Sequence, residues 1–324
     1  MRGAPCVPRT VRILGARLGQ ACGVALMVSV VCFLVVQQLP GDAAYRIAAG
    51  RYGADLVDSA AAQGVRRELG LDRPMWQQLG DWCTDLFTLD LGRSLVTSRT
   101  VVDELGPALL ATLQLAAAAL VGAVLIGVVL GTAAARRPGG LVDRLCAAWV
   151  AGSRAVPPFL LGIGLMVVLS GHAGWVSAAG GDGLSALALP ALTLAVCLSG
   201  LFTRIIRDAL IEVTQSAYVQ FARTKGLPER VVILRHTVRN ALVAVVPYVG
   251  VQAVILIEGV VVVESLFSWD GLGHALVHAV FWRDVPVLQG ASLVLALIIV
   301  AINTGVDLAV AALDPRPRHA GVTA

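Results

Sequence analysis

Few residues in this 324-residue sequence have the type and spacing for chemistry. The five histidines, His172, His236, His274, His278 and His319, are scattered. His274 and His278 are four apart, which brings two imidazoles together on one helix face. A metal centre needs at least one further ligand, and the sequence places none beside them. The six cysteines, Cys6, Cys22, Cys32, Cys83, Cys146 and Cys197, lie mostly in or beside apolar runs and form no Cys-x-x-Cys pair. They read as small buried hydrophobes. No paired nucleophile and base stands out, so no catalytic, metal or cofactor residue is assigned. There is no Gly-x-x-x-x-Gly-Lys-Ser/Thr loop, the backbone cradle that binds nucleotide phosphates. The chain is therefore not expected to bind or hydrolyse ATP itself.

A second kind of chemistry comes from polar side chains inside apolar stretches: Arg154, Glu258, Asn303 and Asp307. A charge at membrane depth is costly and marks a pathway or a specific helix contact. Arg154 either snorkels to a nearby interface or serves such a contact. Glu258 lines a passage or faces external water. Asn303 and Asp307 bond to neighbouring helices or sit near an inner mouth, with packing roles favoured.

These residues need a membrane around them. The chain is 57% hydrophobic and only 14% charged, against roughly one quarter charged in a soluble domain. Mean hydropathy is +0.80. About 20 apolar residues cross a bilayer, and six such runs are expected. The first follows the basic segment 1–18 and occupies 19–41; its length and spread-out arginines favour an anchor over a cleaved leader. Residues 42–104 are polar, with turns at 69–74 and 90–94 between short amphipathic helices, and with Trp76 and Trp82 suited to an interface. A second span lies within 105–135, where Gly122, Gly127 and Gly131 permit close helix packing. The third covers roughly 145–170, and Pro157-Pro158 should break its hydrogen-bond ladder. A glycine-rich loop, 171–183, leads to a fourth span over 184–202. The fifth covers roughly 241–263 and the sixth 285–313, within a core of 105–313, followed by a tail, 314–324.

Arginine and lysine concentrate before the first span, at 136–144, at 204–239 and in the tail, whereas 42–104 balances its arginines with many acids. Positive loops stay in the cytoplasm. Both termini and the 204–239 loop are therefore expected there. No basic domain indicates nucleic-acid binding.

Within 204–239 lies the longest charged segment between two apolar stretches. Tyr218, Phe221 and Ala222 have the i, i+3, i+4 spacing of one helix face. Gly226 is placed to end that helix after Lys225, and Leu227-Pro228-Glu229, with Arg230 following, turns the chain into a second short helix. Such an element can dock a soluble partner.

Tyr218 to Gly226, together with His236-Thr237-Val238-Arg239-Asn240, resembles the coupling loop of binding-protein-dependent ABC importer permeases. The branch is the dipeptide, oligopeptide and nickel one, and the first, "B-type", dipeptide permease in particular. Gln220-Phe221-Ala222 followed by Gly226 matches the family signature without its acid, and Ala244 stands at the place of its later proline. Leu39-Pro40-Gly41-Asp42, Glu68-Leu69-Gly70-Leu71-Asp72-Arg73-Pro74 and Asp90-Leu91-Gly92-Arg93-Ser94 resemble the branch's external region. The stretches 264–273 and 283–290 resemble its motif before the last span, with Asp270 and His274 departing from it. Pro158-Phe159 and Asp314-Pro315-Arg316 also match, while Arg154 departs.

The resemblance implies an all-α membrane protein with the six transmembrane helices of the type I ABC importer permease fold, in the bacterial cytoplasmic (inner) membrane. It implies a non-catalytic subunit forming half of a translocation pathway. Partners would be a related second permease, two cytoplasmic ATPase subunits using ATP and Mg2+, an extracytoplasmic solute-binding protein and membrane lipid. The coupling residues would be Tyr218, Phe221, Ala222, Lys225, Gly226, Leu227, Glu229, Arg230 and His236. Di- or oligopeptides are the first substrate class and nickel or a metal chelate the second; opines, glutathione and related small solutes also fit. An ion-coupled carrier would show two homologous halves or broken helices around intramembrane charges; no internal repeat is evident, and Pro157-Pro158 leaves that alternative open. An integral enzyme would show a reactive pair at membrane depth, and none is evident. A purely structural subunit leaves the coupling segment unexplained.

Overall fold

Association of apolar helices in lipid depends on close packing and buried polar contacts rather than on the hydrophobic effect. The helices of this chain meet through both. The computed structural model describes residues 9–38, 40–53, 55, 57–70, 73–74, 76–77, 80, 84, 90–172 and 184–313. The expectations for Trp82, the body of the 171–183 loop and the tail from Asp314 fall outside those residues.

The helices are α1 (Arg9–Gln38), α2 (Ala43–Tyr52), α3 (Ser59–Glu68), α4 (Val101–Ala135), α5 (Leu141–Ala155) and α6 (Pro158–Leu165). They continue with α7 (Leu184–Gln215), α8 (Ala217–Thr224), α9 (Glu229–Val231), α10 (Arg239–Phe267), α11 (Leu272–Trp282) and α12 (Val285–Leu313). Wider π-helical turns, Met166–His172 and Val232–Val238, follow α6 and α9. Among the described residues, extended pairing is confined to a bridge between Arg93 and Thr100.

By length and composition, five helices of the described residues suffice to cross a membrane: α1, α4, α7, α10 and α12. A sixth crossing exists if α5 and α6 count as one span, bent by 103°. The bend falls at Pro157-Pro158, where the ladder was expected to break. Pro157 stands just before α6 and Pro158 opens it, a position where the missing amide hydrogen costs nothing. The fourth span outruns its expected end at Phe202, because α7 carries Arg204 and Arg207 in regular helix and stops only at Gln215.

Helices α4 and α7 run side by side in the same direction. A methyl group added at Gly127 would lie 2.5 Å from Phe202 Cβ, and one at Gly131 would lie 2.8 Å from the Thr203 carbonyl. Only glycine allows that approach. Leu115, Ala119, Ala123, Leu198, Phe202, Val245 and Val260 form the core where α4, α7 and α10 meet. Phe202 packs edge-on against Tyr248 at 5.8 Å between centroids.

The segment after α1 forms a small polar annex. Asp42 caps α2 by accepting from Ala44 N at 2.9 Å, and Asp58 caps α3 through Ala61 N at 2.7 Å. Ala44, Ile47, Ala48 and Val65 are buried between the two helices. Three distant stretches lock the annex to the helices. Arg283 donates to the Gly41 carbonyl at 2.9 Å and the Pro40 carbonyl at 2.5 Å. Asp284 accepts from the Ser94 hydroxyl and from Leu95 N at 3.1 Å. The stretches around 40, 94 and 283, each quoted above for its resemblance, thus converge on one corner.

Candidate functional site

The polar segment after α7 is held in place before it can present anything. Arg207, near the end of α7, donates to both oxygens of Asp143 on α5, at 2.5 and 2.7 Å. Gly139 N adds a bond to Asp143 at 2.8 Å. The first turn of α5 is thereby tied to the last turns of α7. The Ser216 hydroxyl then caps back onto the Val213 carbonyl at 2.5 Å, and the chain turns into α8.

Helix α8 is two-sided. Val219 and Ala222 are buried against Val232, with Val213 of α7 alongside. Tyr218 and Phe221 point the other way and are 45% and 60% exposed. Spacing alone put Tyr218, Phe221 and Ala222 on one face, but packing divides them. Only the small Ala222 and branched Val219 fit against the following turn, which leaves the two aromatics outside. The Lys225 ammonium lies 4.6 Å from the Phe221 ring centroid, a contact that steadies the ring.

Gly226 closes α8 as expected. Its φ is +74°, a region that costs an L-residue about 1–2 kcal/mol. Gly226 N donates to the Arg223 carbonyl at 2.9 Å and Leu227 N to the Ala222 carbonyl at 3.4 Å. This pair of reversed bonds satisfies carbonyls that the helix end would leave open. Arg223 then bridges the turn to Glu229 at 2.8 Å, and the hydrogen bond to Glu229 raises the Arg223 pKa, so the guanidinium stays charged. Lys225, Leu227, Glu229 and Arg230 are exposed on the same turn. The backbone of His236 lies in the π-helical turn; its side chain is not among those described.

The four polar candidates of the spans do not form one cluster: Asn303 and Asp307 share α12, Glu258 is on α10 and Arg154 on α5. Asp307 of α12 pairs with Arg17 of α1 at 2.5 Å, a helix contact across 290 positions of sequence. Asn303 is half-buried one turn earlier, and Glu258 is exposed on α10. Arg154 lines a cleft between α5 and α7 with Arg144, Arg204 and Arg207. His274 and His278 meet, with ring centroids 4.5 Å apart. Among the described residues, no group of three or more metal-ligating side chains could hold a metal ion.

The sequence reading missed Glu264. It is fully buried at the far end of α10. Its carboxylate accepts from the Thr112 hydroxyl at 2.6 Å, Gly273 N at 2.8 Å and His274 N at 3.3 Å. Thr112 in turn accepts from Leu272 N at 2.8 Å. The available signal was Gly271-x-Gly273 shortly after an acid: a methyl group at Gly271 would fall 2.1 Å from the carboxylate, so these glycines let the backbone close on it.

Comparison with known proteins matches this architecture. The family described as "Binding-protein-dependent transport system inner membrane component" matches residues 127–319. Its companion, the N-terminal part of such membrane components, matches residues 10–116. The glutathione transport system permease protein GsiC of Pectobacterium atrosepticum is 37% identical over 294 residues, 91% of this chain and 94% of that protein. GsiC of Escherichia coli strain K12 is 36% identical over 293 residues, 90% and 94% of the two chains. Two crystal forms of the inward-facing MetNI methionine ABC transporter share the fold, with TM-scores of 0.54 and 0.53 at 18% identity. They cover 63% and 65% of this chain, and 93% and 96% of theirs. The chain is a membrane subunit and not an enzyme: it belongs to the family of binding-protein-dependent transport system inner membrane components, in the peptide and nickel branch of ABC importer permeases.

Proposed function

We propose that this chain forms half of the translocation pathway of an ATP-driven importer of small peptides, and that α8 receives the movement of a cytoplasmic ATPase. The observation that carries this is the division of α8. One face is fixed to α7 and the turn before α10 by Val219, Ala222 and Val232, while Tyr218 and Phe221 stand outward on a charged surface. A push on those two rings cannot be absorbed by the segment alone. It passes into α7 through Val213 and into α10 through the π-helical turn, so the two spans tilt together and access alternates.

In this reading the basic end of the bundle, with 136–144, 204–239 and both termini, is cytoplasmic in a bacterial inner membrane. A related second permease completes the pathway. Two ATPase subunits supply ATP and Mg2+ chemistry, and an extracytoplasmic binding protein delivers the solute. The likeness to glutathione permeases over nine tenths of the chain supports a short peptide-like solute.

The test is purification of this subunit in mild detergent with mass spectrometry of its partners, then uptake by the reconstituted complex. Recovery of a second permease and ATPases, with ATP-dependent uptake of di- or tripeptides, supports the reading. A stable protein without an ATPase partner overturns it, and uptake of nickel without peptide uptake overturns the solute class.

A further inference from the structure

A cleft of about 670 Å³ opens between α5 and α7 near the basic end of the bundle. Four guanidinium groups line it, from Arg144 and Arg154 on α5 and Arg204 and Arg207 on α7, against two carboxylates, Asp143 and Asp208. Both carboxylates are engaged by Arg207, at 2.5–2.7 Å. Arg204 reaches Asp208 only at 3.8 Å, beyond hydrogen-bond range. Arg144 and Arg154 are exposed. The local excess is therefore positive and concentrated on side chains with donors to spare, above a floor of small residues such as Ala147 and Ala151.

The rule that positive residues stay inside accounts for Arg144, in the first turn of α5, and ion pairing accounts for Arg207. Neither accounts for Arg154 and Arg204 lining one cleft from two helices. Phe202, next to Thr203 of the cleft lining, packs edge-on against Tyr248 of α10, whose hydroxyl accepts from Gln252 Nε2 at 2.7 Å. Gln252 is buried, and its Oε1 has no hydrogen-bond partner among the described residues. Polar groups thus continue from the cleft along α10 into the apolar part of the bundle, where such groups mark a solute route.

We infer that this cleft is an anion-binding vestibule at the inner end of the pathway, where Arg154 and Arg204 take the free carboxylates of a peptide-like solute before release. A planar guanidinium fork matches a carboxylate in two parallel bonds, and two forks facing one cleft suit a solute with more than one carboxylate. The assignment rests on the importer reading above and narrows its solute to acidic short peptides.

The test uses the complete importer in liposomes. Uptake of a dicarboxylate tripeptide, glutathione, is compared with uptake of its amide. Arg154→Gln and Arg204→Gln should lower the acid-to-amide uptake ratio by about threefold or more. Arg154→Lys, which keeps the charge, should retain most of the ratio if Arg154→Gln fails to assemble. Arg136→Gln, at the end of α4 and outside the cleft, should leave the ratio unchanged. An unchanged ratio in both glutamine variants overturns the vestibule. A loss that appears for acid and amide alike, and only with anionic phospholipid present, assigns the arginines to a lipid phosphate and overturns the solute assignment. Failure of wild-type liposomes to take up either peptide overturns the peptide solute class of the importer reading instead.

Discussion

The Thr112 hydroxyl donates to Glu264 at 2.6 Å while its oxygen accepts from Leu272 N at 2.8 Å. One threonine of α4 thereby joins the end of α10 to the start of α11. Leu272 N can only donate, so the Thr112 oxygen accepts from it and the hydroxyl hydrogen turns to Glu264. Thr112→Val keeps the shape and removes the relay, leaving Leu272 N and one Glu264 oxygen unsatisfied where both are buried. Loss of about 1–3 kcal/mol is expected, read as a lower thermal midpoint of the purified complex. Thr112→Ser should lie close to wild type, and an unchanged midpoint for Thr112→Val would show that water takes over the relay.

Replacement of Gly226 by valine forces a branched residue into φ +74°. The strain exceeds about 1 kcal/mol, and it falls on the turn that fixes Tyr218 and Phe221. Transport-coupled ATPase activity should drop while membrane insertion and partner recovery persist. Tyr218→Ala with Phe221→Ala should instead weaken ATPase recovery itself. Equal coupling in Gly226→Val and wild type would remove this turn from the mechanism.

Close approach of α4 and α7 rests on Gly127 and Gly131. Gly127→Leu places a side chain where even a methyl group would sit 2.5 Å from Phe202 Cβ, so the two helices must separate. Overpacking of this kind costs about 1–3 kcal/mol or more. The expected outcome is a monodisperse wild-type complex and an aggregated or protease-sensitive variant, checked by size exclusion and limited proteolysis.

The Arg17–Asp307 pair is partly exposed, with Asp307 at 43%, so its coupling is expected to be no more than about 1 kcal/mol. A double-mutant cycle with Arg17→Ala and Asp307→Ala measures it. The exchange Arg17→Asp with Asp307→Arg should recover most of the midpoint lost by either single reversal. If both singles are silent, α1 is held by packing alone.

His274 provides a pH dependence. Burial first and the charge of His278 second push its pKa below the ordinary histidine range, while Asp270 opposes them. The folded state therefore disfavours the proton, and stability falls as pH drops through the ordinary histidine range toward the lower folded value. His274→Gln should flatten the thermal midpoint between about pH 7 and 5. A slope unchanged by the substitution would assign the effect to another group.

Much of the fold was legible because local covalent geometry wrote it. Pro157-Pro158 lacks the amide hydrogens that a straight helix needs, and the chain bends there. Gly226 stands where only a residue tolerant of positive φ can reverse the chain, and α8 stops there. The matched family shows the same origin in sequence. What escaped were relations set by packing over long distances. Glu264 reads like any acid near a helix end until Thr112, more than 150 positions earlier, is seen to face it. Arg207 looked like a stop signal for the fourth span, but Asp143 neutralises it and α7 continues. On α8, periodicity could not tell which half of an apolar stripe meets its own chain and which meets solvent, because Val219 and Phe221 are equally apolar and differ in the space available to them.

The arginine clamp on Pro40 and Gly41 sets an order of events during synthesis. Ribosomes deliver the chain from the first residue onward, and α1 with its annex emerges early. Arg283 and Asp284, which fasten that annex, and Asp307, which holds the base of α1, belong to the last quarter of the chain. Helix α1 is thus secured by residues made long after it. Until Arg283 has been made, the clamp on Pro40 and Gly41 cannot form, and a chain truncated before it would leave α1 and the annex open to membrane quality control.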